Sequence, residues 1–162
     1  MSYTSAGKLS DGDIKALIAY IRTQPAAGRP TRTPPDELNP LGLLMLGAGL
    51  LPGGKPVFTG TIDAPPKGHT AQYGEYLISY LDCRECHGHD LTGGVLGQLP
   101  PIGPDLDLVK EWKLEDFVTA MRSGIDPGGR ELSAQMPWRQ IGKMEDEELG
   151  AIYEYLTHLP GF

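Results

Sequence analysis

The only two cysteines of this 162-residue chain stand at Cys83 and Cys86, and a histidine, His87, follows the second directly. Two thiols at this spacing beside an imidazole suit three chemistries. They could add across the vinyl groups of a porphyrin while His87 binds its iron, the Cys-x-x-Cys-His attachment of a c-type haem. They could cycle between dithiol and disulfide, or form half of a tetrahedral zinc site. A redox pair normally opens a helix inside a βαβ unit, and no such pattern surrounds Cys83. A structural zinc wants four ligands, and no second cysteine pair exists to complete the set. Covalent haem is the chemistry that remains, with one haem and one iron per chain.

The motif supplies one axial ligand and leaves the other face of the iron open. Candidates are His69, His89, His158 and the five methionines. Met136 lies in Gln135-Met136-Pro137-Trp138, a loop-like stretch after Gly128-Gly129, and a loop can drape a thioether over a porphyrin. Met121 recurs with Phe117 and Val118 at helical spacing and reads as core. Met144 reads as a helix staple, and Met45 sits in an apolar run. His89 is too close to His87 to reach the opposite face, and His158 suits the C-terminal end of the last helix. His69 stays open as an alternative. By elimination the expected metal ligands are His87 and Met136.

These groups need elements to position them. Thr70 can cap a helix over 71–81 that delivers the Cys83 segment at its C-terminal end. Residues 95–107 are rich in glycine and proline, with Pro100, Pro101 and Pro104, and read as loop. A short helix over 114–123 ends at Gly124. Asp126-Pro127-Gly128-Gly129 is a turn cluster. A last helix over 146–158 is stopped by Pro160. Gly74 and Tyr155 are the expected crossing point of the first and last of these helices. No run alternates with period two, so the expected class is all-α.

Cys83-x-x-Cys86-His87, Gly103-Pro104-Asp105-Leu106, Met136-Pro137-Trp138 and Glu148-Leu149-x-Ala151-Ile152-x-x-Tyr155-Leu156 occur in that order. On these residues the stretch 68–162 resembles a class I monohaem cytochrome c domain, of the kind found in dehydrogenase-associated and other two-haem bacterial cytochromes. The resemblance implies an all-α fold wrapped round one heme c with His/Met ligation. It implies that the carbonyl of Pro104 accepts the Nδ1–H of His87, a bond that fixes the imidazole and raises its basicity. Trp138 and Tyr76 are the expected haem-packing aromatics. The implied function is one-electron transfer, without catalysis, between a dehydrogenase or quinol-oxidising respiratory or photosynthetic complex and a downstream acceptor. The implied place is periplasmic or otherwise extracytoplasmic. A peroxidase of the two-haem type, or a haem sensor, is the alternative, and either would need a distal site that opens.

The N-terminal third carries a repeat. Shifted by 135 positions, Met136, Gly142, Lys143, Asp146, Ala151, Tyr155 and Pro160 fall on Met1, Gly7, Lys8, Asp11, Ala16, Tyr20 and Pro25 without a gap. Ser10 caps a helix over 11–22, with Leu9 and Ile14 as its staple. Residues 1–25 therefore read as the tail of a preceding cytochrome c domain. Residues 26–67 form a linker in which Pro30, Pro34, Pro35 and Pro40 favour extended chain. Within it 41–51 is apolar but too short to cross a bilayer, and it is expected to pack as core. Residues 1–12 hold neither a basic n-region nor an apolar h-region, so the natural chain is expected to extend upstream. The formal charge of −7 argues against nucleic-acid partners.

Overall fold

Caps and apolar spacing set most of the helix boundaries in the computed structural model, which describes residues 6–26, 28, 38–50, 60–98 and 100–159. Helix α1 spans Asp11–Thr23, with the Ser10 hydroxyl accepting from the Asp13 amide at 3.0 Å. Helix α2 spans Pro40–Gly47, capped by Asn39, whose Oδ1 accepts from the Gly42 amide at 2.7 Å. Helix α3 spans Ala71–Tyr80 behind the Thr70 cap. Helix α4 is the five-residue turn Cys83–His87, and a 3-10 helix follows at Leu106–Glu111. Helix α5 (Leu114–Ser123) stops at Gly124, whose φ of 75° is the left-handed cap that glycine adopts without strain. Helix α6 is Trp138–Ile141 and helix α7 is Asp146–Thr157. Among the described residues there is no strand, only an isolated bridge between Ile125 and Glu131, so the fold is all-α.

Helices α3 and α7 cross at Gly74. A Cβ built there would lie 1.9 Å from the carbonyl oxygen of Ala151 and 2.8 Å from Cβ of Tyr155. The backbones can meet this closely only because residue 74 has no side chain. The crossing buries Leu77 and Ile78 against Leu149, Ile152 and Leu156, and Val109, Phe117 and Met121 extend the same core. Each such side chain contributes about 1.5–3 kcal/mol relative to exposure.

Three expectations change. The segment read as loop at 95–107 runs into the 3-10 helix at its end, and the Cys83 segment is itself the short helix α4; one or two turns are too short to leave a periodic signal. The apolar run around α2 does not pack as core: Leu41, Leu43, Leu44 and Leu50 are exposed, Leu44 by 70%. Its helix is set locally by Asn39 and Pro40, while the α3–α7 core is already closed by other residues. Helix α1 docks by its first turn alone. The Tyr76 hydroxyl accepts from the Ser10 amide at 2.8 Å and donates to the Asp13 carboxylate, and the Asp11 amide bonds the Ile62 carbonyl at 3.0 Å. Beyond that turn Leu17, Ile18, Tyr20 and Ile21 face solvent. Met1, Leu51 and the prolines at 30, 34 and 35 lie outside the described residues.

Candidate cofactor site

Leu81 ends α3, Asp82 turns the chain at φ 59°, and α4 begins at once. On a helical turn, positions three and four apart share a face, so Cys83, Cys86 and His87 point together. All three line one cavity of about 720 Å³. Both cysteines are free thiols, and burial pushes the Cys83 thiol up to about 11. A thiol held protonated at neutral pH is a poor participant in disulfide exchange.

His87 is pinned from behind. Its Nδ1 lies 2.8 Å from the Pro104 carbonyl oxygen. A carbonyl only accepts, so Nδ1 carries a proton, and in the neutral imidazole this tautomer leaves the lone pair on Nε2. Gly103 passes over the ring so closely that a Cβ would lie 2.7 Å from Nδ1 and 3.0 Å from Cγ. The loop that carries Gly103 and Pro104 is knitted to α4. The Gly103 amide bonds the Cys86 carbonyl at 2.8 Å, and the Gly93 amide bonds the His87 carbonyl at 2.8 Å. On the other side Arg84 Nη2 donates to the Tyr155 hydroxyl at 2.7 Å, tying α4 to α7.

Gln98 is a member of this site that sequence reasoning missed. Its Nε2 lies 2.9 Å from the Pro101 carbonyl, 3.2 Å from Pro100 and 3.3 Å from Cys86, while its Oε1 accepts from the Val95 amide at 2.9 Å. The signal was present in Gln98-Leu99-Pro100-Pro101. Prolines contribute carbonyls without N–H groups, so such a loop has spare acceptors and a neighbouring amide side chain serves them.

Met136 lies on the wall of the same cavity. Its loop is closed by two backbone hydrogen bonds: the Met136 amide donates to the Ser133 carbonyl at 3.0 Å and the Trp138 amide to the Met136 carbonyl at 2.8 Å. The cavity thus gathers Cys83, Cys86, His87, Pro104 and Met136. Trp138 and Tyr76 are not among its lining residues. The Trp138 ring covers Gly124, where a Cβ would lie 2.4 Å from it, and the Arg139 guanidinium sits 4.4 Å from its centroid. Tyr76 holds α1 instead. His89 is exposed beside Asp90 at 2.8 Å, His158 Nδ1 bonds the Glu154 carbonyl at 2.6 Å, and His69 lies against Gly150.

The remaining wall is largely apolar, with Leu108, Trp112, Met121, Ile141 and Ile152 among its residues. A cavity of this size falls within the usual range for cofactor sites. Its donor set suits an iron porphyrin: two unpaired thiols for the vinyl groups, an imidazole with its lone pair freed by Pro104, and a thioether.

A family described as cytochrome C oxidase, cbb3-type, subunit III matches residues 69–156, just over half of the chain. The chain is similar to the cytochrome c subunit of alcohol dehydrogenase (quinone) from Gluconobacter oxydans, 32% identical over 98 residues that are 52% of this chain and 20% of that protein. It is 33% identical over 98 residues to the gluconate 2-dehydrogenase cytochrome c subunit of Pantoea cypripedii, covering 52% of this chain and 22% of that one. It is 30% identical over 96 residues to the fructose dehydrogenase cytochrome subunit of Gluconobacter japonicus, covering 51% and 20%. The chain therefore spans about a fifth of the length of these curated relatives. No solved structure matches.

Proposed function

This chain belongs to the cbb3-type cytochrome c oxidase subunit III family, and from that premise we propose that it is an electron carrier with one covalent heme c per chain. The observation that carries this reading is the convergence of Cys83, Cys86, His87 and Met136 on one largely apolar cavity. Cys83 and Cys86 would hold the haem through thioethers, with His87 and Met136 as its axial ligands. When bound, the haem supplies a centre that accepts and releases one electron. The chain's own residues do the rest. Pro104 and Gly103 hold the imidazole in one tautomer and orientation, and the methionine thioether favours the reduced metal. The apolar wall excludes water. With His87 and Met136 both holding the iron, substrate would find no vacant site, which favours a carrier over an enzyme.

The three relatives named above are cytochrome subunits of dehydrogenases, so the proposed donor is a dehydrogenase or a quinol-oxidising complex, and the proposed location is extracytoplasmic. None of the described helices is long and apolar enough to cross a membrane. Helix α1 is assigned as the closing helix of a neighbouring haem domain. At the 135-residue offset its exposed Leu17, Tyr20 and Ile21 correspond to Ile152, Tyr155 and Leu156 of α7, two of which are buried against α3.

The test is optical. Protein made in a host with c-type maturation should hold haem that resists acid-organic extraction. Its oxidised form should show the weak far-red methionine–iron band, and its reduced form should not bind carbon monoxide. Met136→Ala should abolish that band and admit carbon monoxide. Extractable haem in the parent protein refutes covalent attachment. Prompt carbon monoxide binding by the parent protein moves the case to a peroxidase or sensor with an openable distal site.

A further inference from the structure

The cavity wall carries five carboxyl or guanidinium side chains. Four are acidic, namely Asp82, Glu85, Asp126 and Glu131; the only lysine or arginine among the lining residues is Arg130. The haem assigned above, on which this inference rests, brings two carboxylates of its own. Its propionates leave the macrocycle on the side away from the vinyl groups that the cysteines would hold. An otherwise apolar and acidic enclosure offers those carboxylates one favourable direction. We propose that Arg130 is the anchor for a haem propionate, and that Asp126 positions it.

The geometry of the pair supports the division of labour. Asp126 is 8% exposed, whereas the Arg130 side chain is 83% exposed. Asp126 Oδ2 accepts from Arg130 Nε at 2.9 Å and from Nη2 at 2.8 Å, while Oδ1 accepts from the Arg130 amide at 2.9 Å. The Arg130 carbonyl accepts in turn from the Asp126 amide at 2.9 Å. A buried carboxylate thus grips one edge of the guanidinium and fixes its plane. Guanidinium has five N–H donors in a planar fork. The edge held by Asp126 uses two, and the Nη1 side is left to meet a second carboxylate in the bidentate geometry that arginine favours. The pair also closes the turn that precedes Met136, so propionate binding and the methionine loop would share one support.

A propionate held by a guanidinium stays ionised to lower pH. The other groups that face the cavity and could titrate are Asp82, Glu85, Glu131, His87 and the two thiols. The thiols and His87 would be engaged by the haem, and the three acids remain in every variant below.

The experiment is a spectroelectrochemical titration of the haem-bearing protein across about pH 5 to 8, where a released propionate would titrate. The variants are Arg130→Gln, Arg130→Lys and Asp126→Asn. The parent protein should give a nearly flat potential. Arg130→Gln should introduce a bend, with the potential falling as pH rises and then levelling. Arg130→Lys should restore most of the flat profile. Asp126→Asn keeps the guanidinium but frees its plane, so its profile should bend, less than that of Arg130→Gln. An Arg130→Gln curve parallel to the parent's overturns the anchor, an Asp126→Asn curve parallel to the parent's overturns the positioning role, and an Arg130→Lys curve as bent as that of Arg130→Gln traces the effect to a loosened loop and overturns both. Parent protein whose haem is extractable would bring down the haem reading itself, a result visible before any titration.

Discussion

Gly74→Ala is the sharpest test of how α3 and α7 hold the site. The new Cβ would lie 1.9 Å from the carbonyl oxygen of Ala151, and ordinary contact begins near 3.4 Å. The obstacle is backbone, so no rotamer change relieves it and the helices must separate by about 1.5 Å. Overpacking with backbone displacement costs about 3 kcal/mol at the upper end of its usual range. Alanine returns about 1 kcal/mol through helix propensity. The net loss is about 2 kcal/mol, which for a chain of this length lowers Tm by about 4–8 °C. Thermal unfolding of the haem-bearing protein, followed by far-ultraviolet circular dichroism, reads it directly. Gly47→Ala in α2 is the control, because a Cβ there meets nothing within 4 Å and should cause no loss. A Gly74→Ala protein as stable as its parent would refute the close-crossing argument.

Gln98→Ala should loosen the loop over His87 without removing either proposed ligand. One amide side chain serves several carbonyls there, so the expected loss is about 1–2 kcal/mol of stability, with faster amide exchange at Gly93 and Gly103 as the site-specific readout. Asp126 gives a pH signature. Its carboxyl is held below the ordinary 3.8, first by the Arg130 amide and then by the guanidinium. The folded state thus binds this proton less tightly than the unfolded chain. The stabilising contribution is full above about pH 4 and is lost as pH falls through the lowered value. Asp126→Asn should remove that acid-dependent component, so acid unfolding of variant and parent should converge at low pH; a constant gap at all pH values would contradict the assignment.

The long helices were legible because they follow local rules. Thr70 and Ser10 are capping residues, Gly124 ends a helix left-handed, and α3, α5 and α7 fall within a residue or so of their expected ends. That Cys83, Cys86 and His87 would share one cavity was legible because their spacing places them on one face of a helical turn. The short helices α4, α6 and Leu106–Glu111 were not, since one or two turns leave no period to detect. The two aromatics lie off the cavity lining for a different reason. Tyr76 lies two residues from the cavity-lining Ile78, which on a helix is about 200° round the axis, so it faces α1 instead. Trp138 neighbours Met136 in sequence, yet the turn through Pro137 sends its ring to Gly124. Gln98 acts through backbone carbonyls, which residue types do not advertise. The apolar α2 segment shows the limit of hydropathy: it marks surface that water disfavours without saying what should cover it.

The backbone clasp around His87 has a kinetic meaning for a protein that passes single electrons. When a metal changes charge, the atoms around it tend to shift, and that rearrangement sets much of the barrier to transfer. Here the imidazole is fixed by the Pro104 carbonyl, walled by Gly103 and braced by the bonds from Gly103 and Gly93 to α4. Groups already oriented by the fold need little movement at the moment of reaction. The glycine- and proline-rich loop therefore acts as a stiff mount, and with His87 as the proposed ligand it would keep the imidazole in nearly the same place whether or not the electron has arrived.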